Sequence, residues 1–539
     1  MPLKNMPLGT GVVSWLLAAF LVATANLTFF DHTTAVYGFA DNAAFLVSQT
    51  LVLLAVMVFV TNVFSLVLPF RVVATVLLLV AAPAAYFMDT FGSIIDTEMI
   101  RNVVQTDVNE AGDLMSAGFL IKLGLLGILP AAVIWLIPLQ RRRFVRREMM
   151  LAATAALAVV VALGCMLPFS DAYASFFREH KPLRYYTNPT YPIYSSVKFL
   201  VDSNKTAADQ TYREVVEKAE ISPEDESHEL VVVVVGETAR ADHFGLLGYD
   251  RDTTPQLSKR DNIVGFTQAK SCGTSTAISV PCMFSLSRRD EFNIKTAEQT
   301  ENVLDILVKA GVNVIWRDNN SGSQGVAGRI TYQNFKHADA NPDCDDVECR
   351  DTGMLAGLAG LVDGAAKDTL IVLHQMGSHG PAYFKRYPPE FETFTPVCKS
   401  IELQNCSNEE IVNAFDNTIV YTDYVLDQAI RFLEKHQDTY ETTLIYMSDH
   451  GESLGEMGVY LHGMPYWIAP EAQTHVPLIV WAGPSSDIDL DALRDIRDAP
   501  VAHDDFSRIL LDSFEVAVDA DHPIGNAMAI PLKPESDHD

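Results

Sequence analysis

Five long apolar runs crowd the chain before residue 170, over residues 11–30, 43–70, 72–91, 117–139 and 149–169. Each approaches or exceeds the roughly 20 apolar residues that cross a bilayer, so the pattern predicts membrane-spanning helices, not the core of a water-soluble domain. Basic residues orient them. Arg141, Arg142, Arg143, Arg146 and Arg147 lie between the fourth and fifth runs, Lys4 precedes the first, and Arg71 separates the second from the third. The other two loops are acidic, with Asp31 and Asp41 in one and Asp96, Glu98, Asp107, Glu110 and Asp113 in the other. The positive-inside rule places the N-terminus and the arginine loop in the cytoplasm. An odd number of crossings then puts everything after about residue 170 outside. If the first run were instead a cleaved signal peptide, with Ala23-Thr24-Ala25 at the cleavage point, the large domain would still end outside.

The cysteines agree with export. Cys165 stands alone in the fifth run, whereas Cys272 and Cys282, Cys344 and Cys349, and Cys398 and Cys406 fall as close neighbours in the exported part. An even set there suggests disulfides in an oxidising compartment, with several connectivities open and neighbour pairing the simplest. A zinc site built from them is disfavoured because no Cys-x-x-Cys spacing occurs. The formal charge of -29 argues against nucleic-acid binding, which needs basic stripes.

Beyond the membrane runs, the pattern predicts a connector and then an α/β domain, dividing the chain into 1–170, 171–228 and 229–539. In the loop before the fourth run, Asn102, Thr106 and Glu110 recur every four residues and would share one helix face at the outer membrane surface. Tyr185, Tyr186, Tyr191 and Tyr194 suit the membrane interface. Pro189 and Pro192 among them suggest an extended segment, with a helix over 197–218. Apolar β-branched runs at 230–235, 312–316, 369–373, 443–447 and 476–481 read as strands buried on both faces, and 300–310 and 409–436 as helices between them.

Chemistry collects where those strands end. Gly236-Glu237-Thr238 follows the first, Asp318-Asn319-Asn320-Ser321 the second, His374-Gln375-Met376-Gly377-Ser378-His379 the third and Ser448-Asp449-His450-Gly451-Glu452 the fourth. Ligands of parallel α/β sheets bind outside the carboxyl ends of strands. Glu237, Asp449 and His450 supply two carboxylates and an imidazole, a set that suits zinc and leaves a position for a nucleophilic oxygen. His379 and His462 could hold a second metal, bind substrate or act as acid and base. In Ser271-Cys272-Gly273-Thr274-Ser275-Thr276, three hydroxyls precede a run that can turn helical, where N–H groups and the helix dipole favour an anionic oxygen. Spacing alone does not choose between Thr274, Ser275 and Thr276.

The motifs 236–242, 271–276, 374–381 and 448–456 resemble those of the phosphoethanolamine–lipid A transferases, the family that includes the mobile colistin-resistance enzymes, and the resemblance spans the whole chain. It implies a multi-pass α-helical membrane domain followed by an α/β/α periplasmic domain of the alkaline phosphatase/sulfatase type, in the bacterial inner membrane. It implies Thr276 as the nucleophile that becomes phosphoethanolamine-modified, and Glu237, Thr276, Asp449 and His450 as ligands of one tightly bound zinc. His379 and His462 would handle substrate or a second zinc. Asn102, Thr106 and Glu110 would contact the lipid donor, and Ser321 its headgroup. The three cysteine pairs would match the family's disulfides. Many members carry a lysine where this sequence has Gln324, which removes a cation from the expected phosphate site.

The implied reaction uses phosphatidylethanolamine as donor and a lipid A phosphate as acceptor, with polymyxin resistance as its consequence and a monomer as the working state. The alternative within the superfamily is phosphoethanolamine transfer to lipopolysaccharide core or periplasmic glucan. A formylglycine sulfatase is disfavoured, because Ser279-Val280-Pro281-Cys282-Met283 ends on Met283 where that motif needs arginine. A metal-binding scaffold would leave the Glu237, Thr276, Asp449 and His450 set idle.

Overall fold

The computed structural model describes residues 7–106, 108–140, 142–208, 211–223, 227–362, 366–519 and 528–533, with the side chains of 108–110 and 205–208 outside the description. The chain forms two compact units. One comprises Met1–Ile100 and Leu114–Leu200, the other Arg101–Asp113 and Val201–Asp539.

The first unit is helical: α1 (Thr10–Ala25), α2 (Leu27–Tyr37), α3 (Phe39–Ser65), α4 (Phe70–Phe91), α5 (Ala117–Leu136) and α6 (Phe144–Met166). Among the described residues, four helices are long and apolar enough to cross a membrane unaided, and a fifth span exists only if α1 and α2 count as one. The first run is therefore not the single straight helix its composition predicts, because α1 and α2 meet at 68°. The break is at Asn26, whose Nδ2 donates to the carbonyls of Leu21 (3.0 Å) and Asn188 (2.8 Å). Asn188 answers by donating from its backbone N to Asn26 Oδ1 and from Nδ2 to the carbonyls of Ala25 and Ala81. Two buried amides thus satisfy backbone groups that a break inside an apolar layer would strand. Inside α5, Leu123–Ile128 winds as a π-helix. There a Cβ on Gly127 would lie 3.2 Å from Ala82 Cβ, so the missing side chain permits close helix approach.

Two local expectations are corrected. The helix expected over 197–218 is α7 (Thr190–Ala208). It begins earlier because Pro192 sits in its first turn, where no intrahelical N–H is needed. It does not reach 218, since Lys218–Ile221 is a strand paired antiparallel with Val516–Asp519. The helix carrying Asn102 spans Thr97–Gln105 and ends before Thr106, with a second short helix at Val108–Asp113, so one continuous face through Glu110 is not formed. Asn102 and Thr106 still share a turn, as Thr106 Oγ1 donates to the Asn102 carbonyl at 2.8 Å. The side chain of Glu110 lies outside the described residues.

The second unit is an α/β/α sandwich. Its sheet comprises β1 (Glu229–Gly236), β2 (Ile263–Phe266), β3 (Asn313–Asp318), β4 (Thr331–Asn334), β5 (Thr369–His374), β6 (Glu441–Ser448) and β7 (Leu478–Ala482), in the order β2-β7-β6-β1-β5-β3-β4. Only β7 runs antiparallel to its neighbours. The alternation of β1 explains its unbroken apolar sequence. Val231, Val233 and Val235 enter one core layer, with Phe284, Leu307 and Phe506, while Leu230, Val232 and Val234 enter the other, with Phe415, Leu426 and Ile430. The first layer is covered by α8 (Thr276–Met283), α9 (Val303–Ala310) and α11 (His503–Asp512), the second by α10 (Asn408–Glu434). Asn302 and Ser407 form capping boxes that fix the starts of α9 and α10. The edge strands do not stand out in the sequence, β2 because its buried apolar run is only four residues long and β4 because it is mostly polar and exposed.

Candidate active site

The parallel register aligns the strand ends: Gly236 lies opposite Ser448, and Asp318 opposite His374. The residues that follow therefore converge on one edge of the sheet. Glu237, Asp449 and His450 are fully buried there, and one ligand atom from each lies within 4.8 Å of the others. Thr276, the first residue of α8, directs Oγ1 to Glu237 Oε2 at 3.0 Å and stands 3.4 Å from His450 Nε2. The neighbouring hydroxyls are engaged differently. Thr274 Oγ1 donates to the Met464 carbonyl at 2.6 Å, and Ser275 is the extended N-cap residue of α8.

The polar atoms around Glu237 hold it firmly. Asn320 Nδ2 donates to Glu237 Oε2 at 2.7 Å and to the Gln375 carbonyl at 2.7 Å, and Thr238 Oγ1 donates to Glu237 Oε1. Thr238 N and His450 N both donate to Asp449 Oδ1, at 3.1 and 2.7 Å, whereas Asp449 Oδ2 is buried without a hydrogen-bond partner. That orphaned oxygen, beside a second carboxylate and an imidazole, fits a divalent cation. His450 Nδ1 donates to the Gly451 carbonyl at 2.9 Å, which fixes the ring and leaves Nε2 as the free lone pair facing the carboxylates.

Electrostatics point the same way. Burial, assisted by the neighbouring His462, pulls His450 down to about 4, so its imidazole is neutral at pH 7, as a ligand must be. Burial works against the Glu237 carboxylate, but His450, His379 and His462 outweigh it and hold it below the usual carboxylate range. Burial and the Glu237 charge drive Asp449 well above the usual carboxylate range, a strain that a cation between them would relieve.

His379 and His462 stand at the rim, their ring centres 5.5 Å apart, with His462 4.4 Å from His450. His462 Nδ1 pairs with Glu452 Oε1 at 3.2 Å; burial lowers the imidazole pKa, but the Glu452 charge outweighs it and holds the ring above the ordinary histidine value. Ser321 sits one residue past Asn320, and its Oγ accepts from Gln324 Nε2 at 3.2 Å, so Gln324 folds back on its own loop. Asn102 and Thr106 are half-buried in the Arg101–Asp113 segment, which groups with this α/β unit. Asp113 ties the segment down, accepting from Lys385 Nζ at 2.5 Å and Arg386 Nη2 at 2.9 Å, and Arg386 Nε donates to the His379 carbonyl at 2.7 Å.

All three neighbour disulfides are formed: Cys272–Cys282, Cys344–Cys349 and Cys398–Cys406, with Cys165 free. Cys272–Cys282 brackets the Thr276 turn. A buried histidine that sequence reasoning missed, His503, braces the same turn. Its Nδ1 accepts from Cys272 N at 3.1 Å and its Nε2 donates to the Ser448 carbonyl at 3.0 Å. Asp351 was missed too; it accepts from the backbone N of Met376 and Gly377 and from Asn319 Nδ2. Neither lies near a strand-end motif, so no local pattern marks them. Asn320 does, and its place after β3 was the available signal.

A bilayer-scale helical unit and a sulfatase-type α/β domain, with a threonine hydroxyl among buried metal-ligand groups, define a membrane-anchored enzyme of the alkaline phosphatase/sulfatase superfamily. Family descriptions divide the chain in the same way: Sulfatase matches residues 229–516, and Phosphoethanolamine transferase EptA/EptB matches 51–203. The chain belongs to the phosphoethanolamine transferase family and is an integral membrane protein with a C-terminal periplasmic domain. It is 43% identical over 517 residues to the phosphatidylethanolamine transferase Mcr-1 of Escherichia coli, covering 93% of this chain and 94% of that protein. The structure of the integral membrane lipooligosaccharide phosphoethanolamine transferase A of Neisseria meningitidis superposes with a TM-score of 0.90 at 33% identity, over 95% of this chain and 97% of that one. The C-terminal periplasmic domain of phosphoethanolamine transferase EptC from Campylobacter jejuni is 40% identical, with a TM-score of 0.52 over 58% of this chain and 96% of that one.

Proposed function

We propose that the protein moves phosphoethanolamine from phosphatidylethanolamine to a lipid A phosphate in two displacements through Thr276. The observation that carries this reading is the position of Thr276 Oγ1, 3.0 Å from Glu237 and 3.4 Å from His450, in a buried set of cation ligands. Glu237, Asp449, His450 and Thr276 Oγ1 are the groups that would hold zinc, which when bound lowers the hydroxyl pKa and offsets charge on the phosphoryl oxygens. His379 and His462 bind the headgroup phosphate, and a second ion would use the same imidazoles.

In the first displacement, Thr276 Oγ1, oriented by its hydrogen bond to Glu237 Oε2, loses its proton to solvent and bonds to phosphorus, and the bond from phosphorus to the diacylglycerol oxygen breaks. His462 suits the role of acid for that leaving oxygen, since Glu452 favours its protonated form. In the second displacement a lipid A phosphate oxygen bonds to phosphorus, the bond from phosphorus to Thr276 Oγ1 breaks, and Oγ1 and the His462 imidazole each take a proton back from solvent. The covalent intermediate lets two bulky lipids use the site in turn. Asn102, Thr106, Glu110 and Ser321 serve as donor contacts on this reading. The exported domain is held by 1–170 through the connector 171–228, so that the catalytic part 229–539 meets lipids at the inner membrane, and the chain acts as a monomer.

The lipooligosaccharide named for the Neisseria relative supports an acceptor of the lipid A-bearing glycolipid class. Adding a primary amine to a phosphate lowers surface negative charge, and reduced polymyxin binding follows. Mass spectrometry of lipid A from cells expressing the chain tests this. The reading requires phosphoethanolamine on lipid A; unmodified lipid A beside a modified core or glucan transfers the activity to those acceptors.

A further inference from the structure

The helical unit contains a cavity of about 500 Å³ that the reaction above does not use. It lies between the turn after α4 and the start of α7, and is lined by Asp96, Thr97, Glu98, Arg184, Tyr185, Tyr191, Tyr194 and Lys198. The charges are of both signs: the Asp96 carboxylate on the turn and the Glu98 carboxylate at the start of the helix Thr97–Gln105, facing the Arg184 guanidinium just before α7 and the Lys198 ammonium on α7. The rest is Thr97 and three tyrosines. The rings of Tyr185 and Tyr191 lie 4.8 Å apart, those of Tyr191 and Tyr194 stack at 6.0 Å, and the Arg184 guanidinium sits 5.3 Å from the Tyr185 ring centre.

Each simpler ligand is opposed by half of this lining. An anion would suit Arg184 and Lys198 but meet Asp96 and Glu98, while a lone cation would meet the reverse. A zwitterion satisfies both, and phenol faces attract an ammonium through the ring quadrupole. Asp96 adds a second indication: burial and the neighbouring Glu98 raise its carboxyl to about 6, even though it accepts a hydrogen bond from Met99 N at 2.8 Å. A bound ammonium would relieve that. The cavity borders the segments directly after α4, and tyrosines concentrate at headgroup depth in membrane proteins.

We propose that this cavity holds the zwitterionic phosphoethanolamine headgroup of a membrane phospholipid, with the phosphate on Arg184 and Lys198 and the ammonium among Asp96, Glu98 and the tyrosine faces. As a waiting site for the donor it rests on the transfer reading above; as a lipid-binding site it does not.

Native mass spectrometry of the full chain carrying Thr276→Ala, which cannot consume donor on that reading, measures retained lipid after addition of phosphatidylethanolamine or phosphatidylglycerol. Phosphatidylethanolamine is expected to be preferred. Arg184→Gln with Lys198→Gln, and separately Asp96→Asn with Glu98→Gln, should each reduce its retention about tenfold. Arg178→Gln with Lys181→Gln, exposed neighbours outside the cavity, should leave it unchanged. Equal retention of phosphatidylglycerol, or retention untouched by both cavity pairs, overturns the proposal. If the parent chain leaves lipid A unmodified in cells while the cavity variants lose retention, the transfer reading fails and the site stands.

Discussion

Asp113→Asn should loosen the catalytic edge from a residue that carries no chemistry itself. Arg386 is almost wholly enclosed, with 3% of its side chain exposed, and is neutralised by Asp113 at 2.9 Å and by Glu348. Removing one partner of a buried ion pair costs about 3–5 kcal/mol when the other charge is left alone. Glu348 remains here, so the expected loss is smaller, near that of a single charged hydrogen bond, about 1.5–3 kcal/mol. The pair with Lys385, whose side chain is 31% exposed, adds at most about 1 kcal/mol. The total is then about 1.5–4 kcal/mol of stability of the α/β unit. Arg386 also donates to the His379 carbonyl, so transfer should slow as His379 loses its anchor. Chemical unfolding of the parent, Asp113→Asn, Arg386→Gln and the double variant gives the coupling directly. A coupling of about 1.5 kcal/mol or more is expected. Additive single losses, with unchanged transfer in Asp113→Asn, would refute the reasoning.

Three further outcomes follow from particular contacts. Gly377 has φ +52°, and a Cβ there would lie 2.8 Å from the Glu237 carbonyl oxygen, so Gly377→Ala should cost about 1–3 kcal/mol and weaken zinc binding measured by competition with a chromophoric chelator. Asp423 accepts from the backbone N of Gln256 and Leu257, yet burial raises its carboxyl from the model-compound value of 3.8 to about 7. A raised folded-state pKa means stability present below the unfolded value is lost as pH rises. Asp423→Asn should therefore gain on the parent between pH 4 and 7, by on the order of 2–4 kcal/mol in parallel denaturation curves, and parallel curves with no pH trend would count against it. Stripping divalent cations with a chelator should lower the unfolding temperature, since a ligand at 1,000 times its Kd contributes about 4 kcal/mol, and zinc should restore it.

The sequence carried the strand ends well, for a physical reason. β1, β5 and β6 are buried on both faces, so they need uninterrupted β-branched runs, and the polar residues that follow stand out against them. The spans were legible from length, but the bend between α1 and α2 was not. It depends on Asn188 reaching Asn26 from far along the chain. The same limit hid His503 and Asp113, whose partners are distant in sequence. Pro192 misled because a proline ends a helix in its middle yet begins one comfortably in its first turn. The hydroxyl cluster shows the gradation best. Spacing left Thr274, Ser275 and Thr276 equal and resemblance selected Thr276, while the fold separates them by what each oxygen touches.

The central claim is a covalent phosphoethanolamine on Thr276. The purified full chain, incubated with phosphatidylethanolamine without acceptor, then digested and sequenced by tandem mass spectrometry, tests it most directly. One phosphoethanolamine group should appear on Thr276, disappear when lipid A is added, and be absent from Thr276→Ala. An adduct on Thr274 or Ser275, or undiminished transfer by Thr276→Ala, would contradict the account.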